Sequence, residues 1–320
     1  MKVLIRLFLA LITLGACGRA GYAGFPDRAI HIVVEFPPGG PVDVVAHIVG
    51  PKLGERLGQG VVIDNVAGDD GIKGSDLVAK APPDGYTLLL ASSTHTIHPG
   101  TYGRLPFDTE KAFAPVSLLV AAQLILVVNP SLPVDSVEEL IVYAKSHPGK
   151  LRYASGGLGG PTQLAFELLK ITTGAEITHV PYDGGVAALD AVADDKAQVM
   201  LAPIIAALPM IKDGRLRGIA VSGAHHAAAA PELPTIAETL PGFSAISWYG
   251  VLAPARTPTA VINRLSAEFD HIVHDPDTVK EFAALGGEPV GGSPATFAAL
   301  IRAEIPKWIR VAREAGIHIE

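Results

Sequence analysis

The chain has 320 residues, 49% hydrophobic and 18% charged, with a formal net charge of −7. That length allows two domains of ordinary size, and the apolar content excludes global disorder. The acidic balance argues against nucleic acid or an anionic membrane surface as partner, though not against a small anion, since backbone dipoles act locally.

Lys2 and Arg6 flank the start of an apolar run, Leu7 to Ala16. The run is too short to span a bilayer, and residues 1–23 read as an export signal peptide. Two processing readings stand. Gly21-Tyr22-Ala23 releases a soluble chain from Gly24, whereas Leu14-Gly15-Ala16-Cys17 resembles a lipobox that anchors the chain through Cys17. Cys17 is the sole cysteine, so the mature fold is expected to hold no disulfide. No later apolar run suits a membrane helix, and the remainder is expected in the periplasm.

Ile30, Ile32, Val33, Val34 and Phe36 form a short apolar strand that breaks at Pro37-Pro38-Gly39-Gly40-Pro41. Asp43 reads as the N-cap of a helix from Val44 to Leu57. A strand, a glycine turn and a helix start leave backbone N–H groups and the positive end of a helix dipole at one spot, which suits a carboxylate or phosphate. A strand over Gly60–Asn65, a glycine-rich turn over Val66–Gly74 and a helix over Ser75–Lys80 follow. The strand Tyr86–Ala91 ends at Ser92-Ser93-Thr94, hydroxyls either facing a ligand or serving the turn. His95 to Phe113 reads as irregular. Ala114–Asn129 carries a strand, and Ser136 with Glu139 forms a capping box for a helix to Ser146.

Leu151–Thr162 repeats the first grammar: short strand, glycine turn (Ser155 to Gly160), then a helix over Gln163–Thr172. Two anion-ready turns far apart in sequence fit a ligand gripped from two sides. Strands follow at Ile177–Val180, Val199–Ala202, Arg217–Ser222 and Ile246–Ala253. The first of these ends at Pro181-Tyr182-Asp183-Gly184-Gly185. Helices are expected over Val186–Ala193, Ile204–Lys212, Pro258–His274, Pro276–Leu285 and Pro294–Ala315, with a proline-punctuated loop over Pro231–Pro241. The alternation implies an α/β fold with parallel sheets. The chain leaves the first unit near Val120–Val128 and returns near Ile246–Leu252. This gives domain 1 from 24–123 plus 247–320, domain 2 from 124–246, and two hinge strands between them.

Catalytic templates are missing: there is no GxSxG, HExxH or Walker A sequence. Ser92, His95 and Asp43 match no triad spacing. The Gly156–Gly160 run lacks the third glycine and the acid of a dinucleotide fingerprint. His95 with His98, and His225 with His226, have no further ligand motif beside them. No metal, cofactor or catalysis is expected.

Six stretches in order carry a resemblance: FPDRAIHIVVEFPPGGPVD at 25–43, GVVIDNVAG at 60–68 with VAKAPPDGYTLL at 78–89, PGKLRYASGGLGG at 148–160, HVPYDGG at 179–185, WYGVLAPARTP at 248–258 and AGIHIE at 315–320. Over nearly the whole mature chain the sequence resembles the Bug family, the solute-binding receptors of tripartite tricarboxylate transporters. The resemblance implies a two-domain periplasmic binding protein, type II-like, a Venus flytrap that captures a small organic acid or amino-acid-like ligand. It also implies delivery to membrane permease subunits, and the receptor is expected to be monomeric. By position it implies ligand contacts from Phe36, Pro38, Gly39, Gly40 and Asp43 in the first turn and Ser92 and Ser93 after the third strand. From domain 2 it implies Ser155, Gly156, Gly159, Gly160, Tyr182, Asp183 and Gly184. An orphan sensor for a signalling partner and an exported hydrolase are the alternatives.

The sequence departs from the family pattern at Glu35 (commonly proline), Val42, His47, His98, Gly160, Gln163 and Asp183, and at Gly68-Asp69-Asp70-Gly71. Most of these changes remove a donor or add a carboxylate. One expectation is a ligand with an amine or neutral polar group facing Asp69, Asp70 or Asp183; the other is that these aspartates are solvated at the rim.

Overall fold

The computed structural model describes residues 24–319. The export signal, its cleavage points and Cys17 lie outside the described residues. The first unit contains β1 (Ile30–Val34), α1 (Pro41–Leu57), β2 (Val61–Asn65), a 3₁₀ turn (Asp69–Gly71), α2 (Ile72–Ala79), β3 (Thr87–Ser92) and α3 (Thr94–Thr101). The long strand β4 (Phe113–Val128) then leads to α4 (Val137–Ser146), β5 (Arg152–Ser155), α5 (Pro161–Thr173), β6 (Thr178–Pro181), α6 (Gly185–Ala193) and β7 (Val199–Pro203). After α7 (Ile204–Lys212), β8 (Arg217–Val221) and the short α8 (Ile236–Thr239), β9 (Ile246–Pro254) returns the chain. It closes with α9 (Thr259–Val273), α10 (Pro276–Ala284), β10 (Gly287–Pro289) and α11 (Pro294–Glu314).

The strands hydrogen-bond in the order β2-β1-β3-β9-β4-β7-β5-β6, with β8 and β10 also on β4. β1 pairs in parallel with β2 and β3, and β5 with β6 and β7, as βαβ units require. The sheet is nevertheless mixed, which corrects the all-parallel expectation. β9 runs antiparallel to β3 and β4, and β4 antiparallel to β7 and β8, because the connecting strands double back between units.

β4 serves both lobes. Phe113 to Gln123 lies in register with β9, and Leu124 to Val128 with β7. Gln123 fastens the changeover: its amide donates to the His225 carbonyl and its side-chain oxygen accepts from Gly223 N–H. Each lobe has apolar cores on both sheet faces, one holding Val34, Leu90 and Phe269, another Tyr153, Phe166 and Leu201.

α11 enters two cores. Phe297 and Ile301 pack with Trp248, while Trp308, Val311 and Ala312 pack with Leu164 and Phe166. Pro306 stands between these two sets. The sequence-derived division gave 247–320 wholly to the first unit; the far half of α11 packs in the second core. α3, read as irregular, is helical, and Ile97 on it joins the same second core. Its proline, histidines and glycine have poor helix propensity, and packing on α11 overrides it. Gly100 allows this approach, since a Cβ there would lie 2.9 Å from Ile309 Cα. β10 and α8 were also missed, being too short to show a period.

Candidate functional site

The helices α1 and α5 begin alike. Gly39-Gly40-Pro41-Val42-Asp43 and Gly159-Gly160-Pro161-Thr162-Gln163 superimpose in role. Gly40 and Gly160 are extended N-caps, and each proline fills the first helical position, where its missing N–H is no loss. Asp43 is thus in the first turn of the helix and is not its N-cap. Gly39 and Gly159 have φ of +83° and +70°, open to glycine without strain.

Both glycine amides are satisfied within their own turns. Gly39 N–H donates to Asp43 Oδ2 at 2.8 Å, and Gly159 N–H to Gln163 Oε1 at 2.6 Å. Asp43 therefore braces the first turn from behind; Asn65 also donates to its Oδ1 at 2.8 Å. The outward donors are instead Gly40 and Val42 in one turn and Gly160 and Thr162 in the other, whose amides have no acceptor among the described residues.

The two turns differ in charge. Burial works to raise the Asp43 carboxyl, but the Gly39 amide, Asn65 and His47 outweigh it and hold the group below the usual carboxylate value. The first turn hence carries its own anion at the positive end of α1. In the second turn the neutral Gln163 holds the equivalent place.

Gln163 also fixes a one-way chain of hydrogen bonds. Its oxygen is committed to Gly159, so its amide nitrogen donates to His179 Nδ1 at 3.1 Å. His179 Nε2–H then donates to Ser155 Oγ at 2.6 Å, and Ser155 donates to the Gly157 carbonyl at 2.9 Å. Burial keeps the imidazole neutral, and it stacks on Tyr153. With Nε2 as donor, His179 cannot take the Ser155 proton, so this close Ser–His pair is structural and not an activated nucleophile.

A cavity of about 540 Å³ is lined by Phe36, Pro38, Gly39 and Gly40 of the first turn, by Ser92, Ser93 and Thr94, and by Ser247 and Tyr249 of β9. Pro161, the first residue of α5, closes it from the other lobe. A second cavity of about 320 Å³ shares Gly39, Pro41, Ser247 and Tyr249 and is otherwise mostly apolar, with Val44, Val120, Ile204 and Phe282 in its wall. Phe36, Pro38, Gly39, Gly40, Ser92 and Ser93 are thereby brought together. Asp43, Ser155, Gly156, Gly159, Gly160, Tyr182, Asp183 and Gly184 line neither cavity. The last seven form a neighbouring group in the second lobe: Tyr182 N–H donates to the Ser155 carbonyl, and a Cβ on Gly156 would lie 3.1 Å from Gly185 N. Gly159 is covered by Ile319, whose Cδ1 would lie 2.3 Å from an added Cβ.

Sequence reasoning noted Glu35 only as a departure from the family pattern and left it out of the site. It is fully buried where β1 ends. Its Oε1 accepts from Ser92 N–H at 3.0 Å and Ser92 Oγ at 3.1 Å, and its Oε2 from Ser75 Oγ at 3.0 Å. Burial lifts the carboxyl to about 7, against the pull of these donors. The available signal was an acid closing an apolar strand. Pro161, Ser247 and Tyr249 were outside the proposed set, and Thr94 was read only with Ser92 and Ser93 as a hydroxyl that faces a ligand or serves the turn. Trp248 is buried edge-on against Phe297. His95 and His98 pack against Phe113 and Tyr102.

The profile described as "Tripartite tricarboxylate transporter family receptor" matches residues 45–317. The protein BugT of Bordetella pertussis is 34% identical over 323 residues, covering 100% of this chain and 98% of that protein. Rpa4515 of R. palustris, solved with adipate, is 35% identical with a TM-score of 0.76, covering 92% of this chain and 100% of that one. MatC (Rpa3494) of Rhodopseudomonas palustris, with bound malate, is 29% identical with a TM-score of 0.73, covering 90% and 100%.

Proposed function

The chain belongs to the tripartite tricarboxylate transporter receptor family, and on that premise we propose how it holds its ligand. Members are periplasmic solute receptors for small organic acids that work with transporter permeases. In our reading the ligand is a short dicarboxylate of adipate or malate size, held between the lobes of a monomer released from Gly24. The observation that carries this is the meeting of the first glycine turn, the Ser92–Thr94 hydroxyls and the start of α5 around one cavity. Its volume suits a small ligand.

The charge difference between the turns orients the ligand. One carboxylate seats on the second turn, at the Gly160 and Thr162 amides, where the helix dipole is not offset by a side-chain anion. The other end lies toward the first turn and Ser92–Thr94. Contacts made with both turns at once favour the closed form. Asp69, Asp70 and Asp183 are exposed and so solvated, which favours a plain dicarboxylate over a ligand with an amine facing them.

Calorimetry on the mature chain with adipate, malate, citrate, aspartate, glutamate and nicotinate tests this. Adipate or malate is expected to bind with a Kd on the order of 1 μM, about −8 kcal/mol, and to be recovered unchanged. Silence from all six acids, or turnover of any, overturns the reading. Asp43→Asn removes the anion beside the first turn while keeping an acceptor for Gly39. It is expected to tighten dicarboxylate binding about tenfold, from charges about 12 Å apart at an effective dielectric near 20. Unchanged or weaker binding in a variant that melts normally speaks against the orientation.

A further inference from the structure

Glu35, Ser92 and Thr94 form a row that runs from the interior to the cleft. Glu35 is fully buried, and Ser92 and Thr94 line the 540 Å³ cavity. Ser92 Oγ lies 3.1 Å from Glu35 Oε1 and 2.6 Å from Thr94 Oγ1, so the three groups share two hydroxyl hydrogens. The packing is built around the acid: a Cβ on Gly71 would lie 3.1 Å from Glu35 Cβ, Cγ and Cδ, and one on Gly74 would lie 3.1 Å from its Cα.

Among the described residues no cation answers this carboxyl. The groups facing it are the hydroxyls of Ser75 on α2, Ser92 on β3 and Thr94 on α3. Of the titratable side chains on the adjoining elements, Asp69 and Asp70 of the 3₁₀ turn, Lys73 and Asp76 of α2, and His95 and His98 of α3 make no hydrogen bond or ion pair with it. The same holds for Asp43 on α1.

The row has two states because an ionised carboxylate only accepts. With Glu35 ionised, Ser92 O–H points to Oε1 and Thr94 O–H points to Ser92. The cleft then meets the lone pairs of Thr94, which suit a hydroxyl or amine. With a proton on Oε1, that proton goes to Ser92 Oγ, Ser92 O–H turns to Thr94, and Thr94 O–H points into the cleft. A ligand carboxylate needs this second state, and it also avoids a second negative charge nearby.

Resting on the dicarboxylate reading above, we propose that Glu35 is a proton-linked specificity residue. Through Ser92 and Thr94 it sets whether the cleft offers a donor or an acceptor, so that a carboxylate ligand binds together with one proton taken up on Glu35. The proton comes from solvent and is returned when the ligand leaves; no other bond changes. The near-neutral titration of Glu35 places this coupling in the working range.

The test is titration calorimetry of the mature chain with disodium adipate from pH 6 to 9, in buffers of differing ionisation enthalpy. Proton uptake is expected to approach one per adipate near pH 8 and to fall toward zero near pH 6, with Kd weakening toward about tenfold per pH unit above pH 7. Glu35→Gln, whose oxygen takes the Ser92 N–H and O–H and so holds the acceptor state, should bind adipate more weakly than the wild type at pH 6, and both it and Thr94→Val should show no such uptake and a flat Kd. Binding by the wild type with no proton exchange overturns the proposal and leaves the receptor reading intact. Uptake that persists in both variants also overturns it, since it then arises elsewhere. Absence of binding at every pH removes the dicarboxylate reading and this proposal with it.

Discussion

Glu35→Gln is expected to raise the melting temperature at pH 8 by roughly 6–10 °C, with only about a quarter of that gain at pH 5. Folding carries the Glu35 carboxyl from an ordinary value of 4.5 to about 7, mainly by removing it from water. Between those values the folded chain holds a proton that the unfolded chain has released. Stability is therefore full below the lower value, falls as pH rises through the window and stays reduced above the upper one. The gap is worth about 3 kcal/mol at 1.36 kcal/mol per pH unit. Glutamine fits the same bonds, its oxygen toward Ser92 and its amide toward Ser75, which can turn to accept. Thermal melts of both proteins at pH 5 and pH 8 check this. A gain equal at both pH values would mean that the acid does not titrate in the fold.

Gln163→Leu is expected to lower stability by about 3 kcal/mol and to weaken adipate binding at least tenfold. The side chain is buried, and its loss strands the Gly159 amide and His179 Nδ1, each unsatisfied buried group costing about 1–3 kcal/mol. The turn at the start of α5 then loses the brace that fixes its outward amides. Gln163→Glu separates the two roles. Glutamate still accepts from Gly159 but requires a hydrogen on His179 Nδ1, so it raises that histidine above its ordinary value. The pairing stabilises fully below the unfolded histidine value and is lost as pH rises through the folded one. Melting the two variants at pH 5.5 and 8 is decisive: the glutamate variant should recover at the lower pH and the leucine variant should not. A leucine variant as stable as the wild type would dismiss the bracing role.

The glycine turns were legible because Gly-Gly-Pro leaves the backbone few options, and the apolar runs before them mark the strands. The bracing by Asp43 and Gln163 was also present in the sequence, as the same Gly-Gly-Pro-x-Asp/Gln spacing twice, but its meaning lies in the direction of a side chain. The partners of Glu35 were not legible. Ser75 and Ser92 are 40 and 57 residues away, and only the adjacency of β1 and β3 brings them to one carboxyl. The terminal helix was legible as a helix without any sign of what buries it, so its passage into the second core was invisible.

That passage bears on how the molecule can move. Two neighbouring strands, β4 and β9, would let one lobe both tilt and swivel on the other. A third tie, the terminal helix rooted in both cores, opposes the swivel and leaves a single arc of travel. Pro306 has no N–H to give the Arg302 carbonyl, so the tie is softest midway between its two roots. Movement of one lobe on the other is thus expected to run along one coordinate.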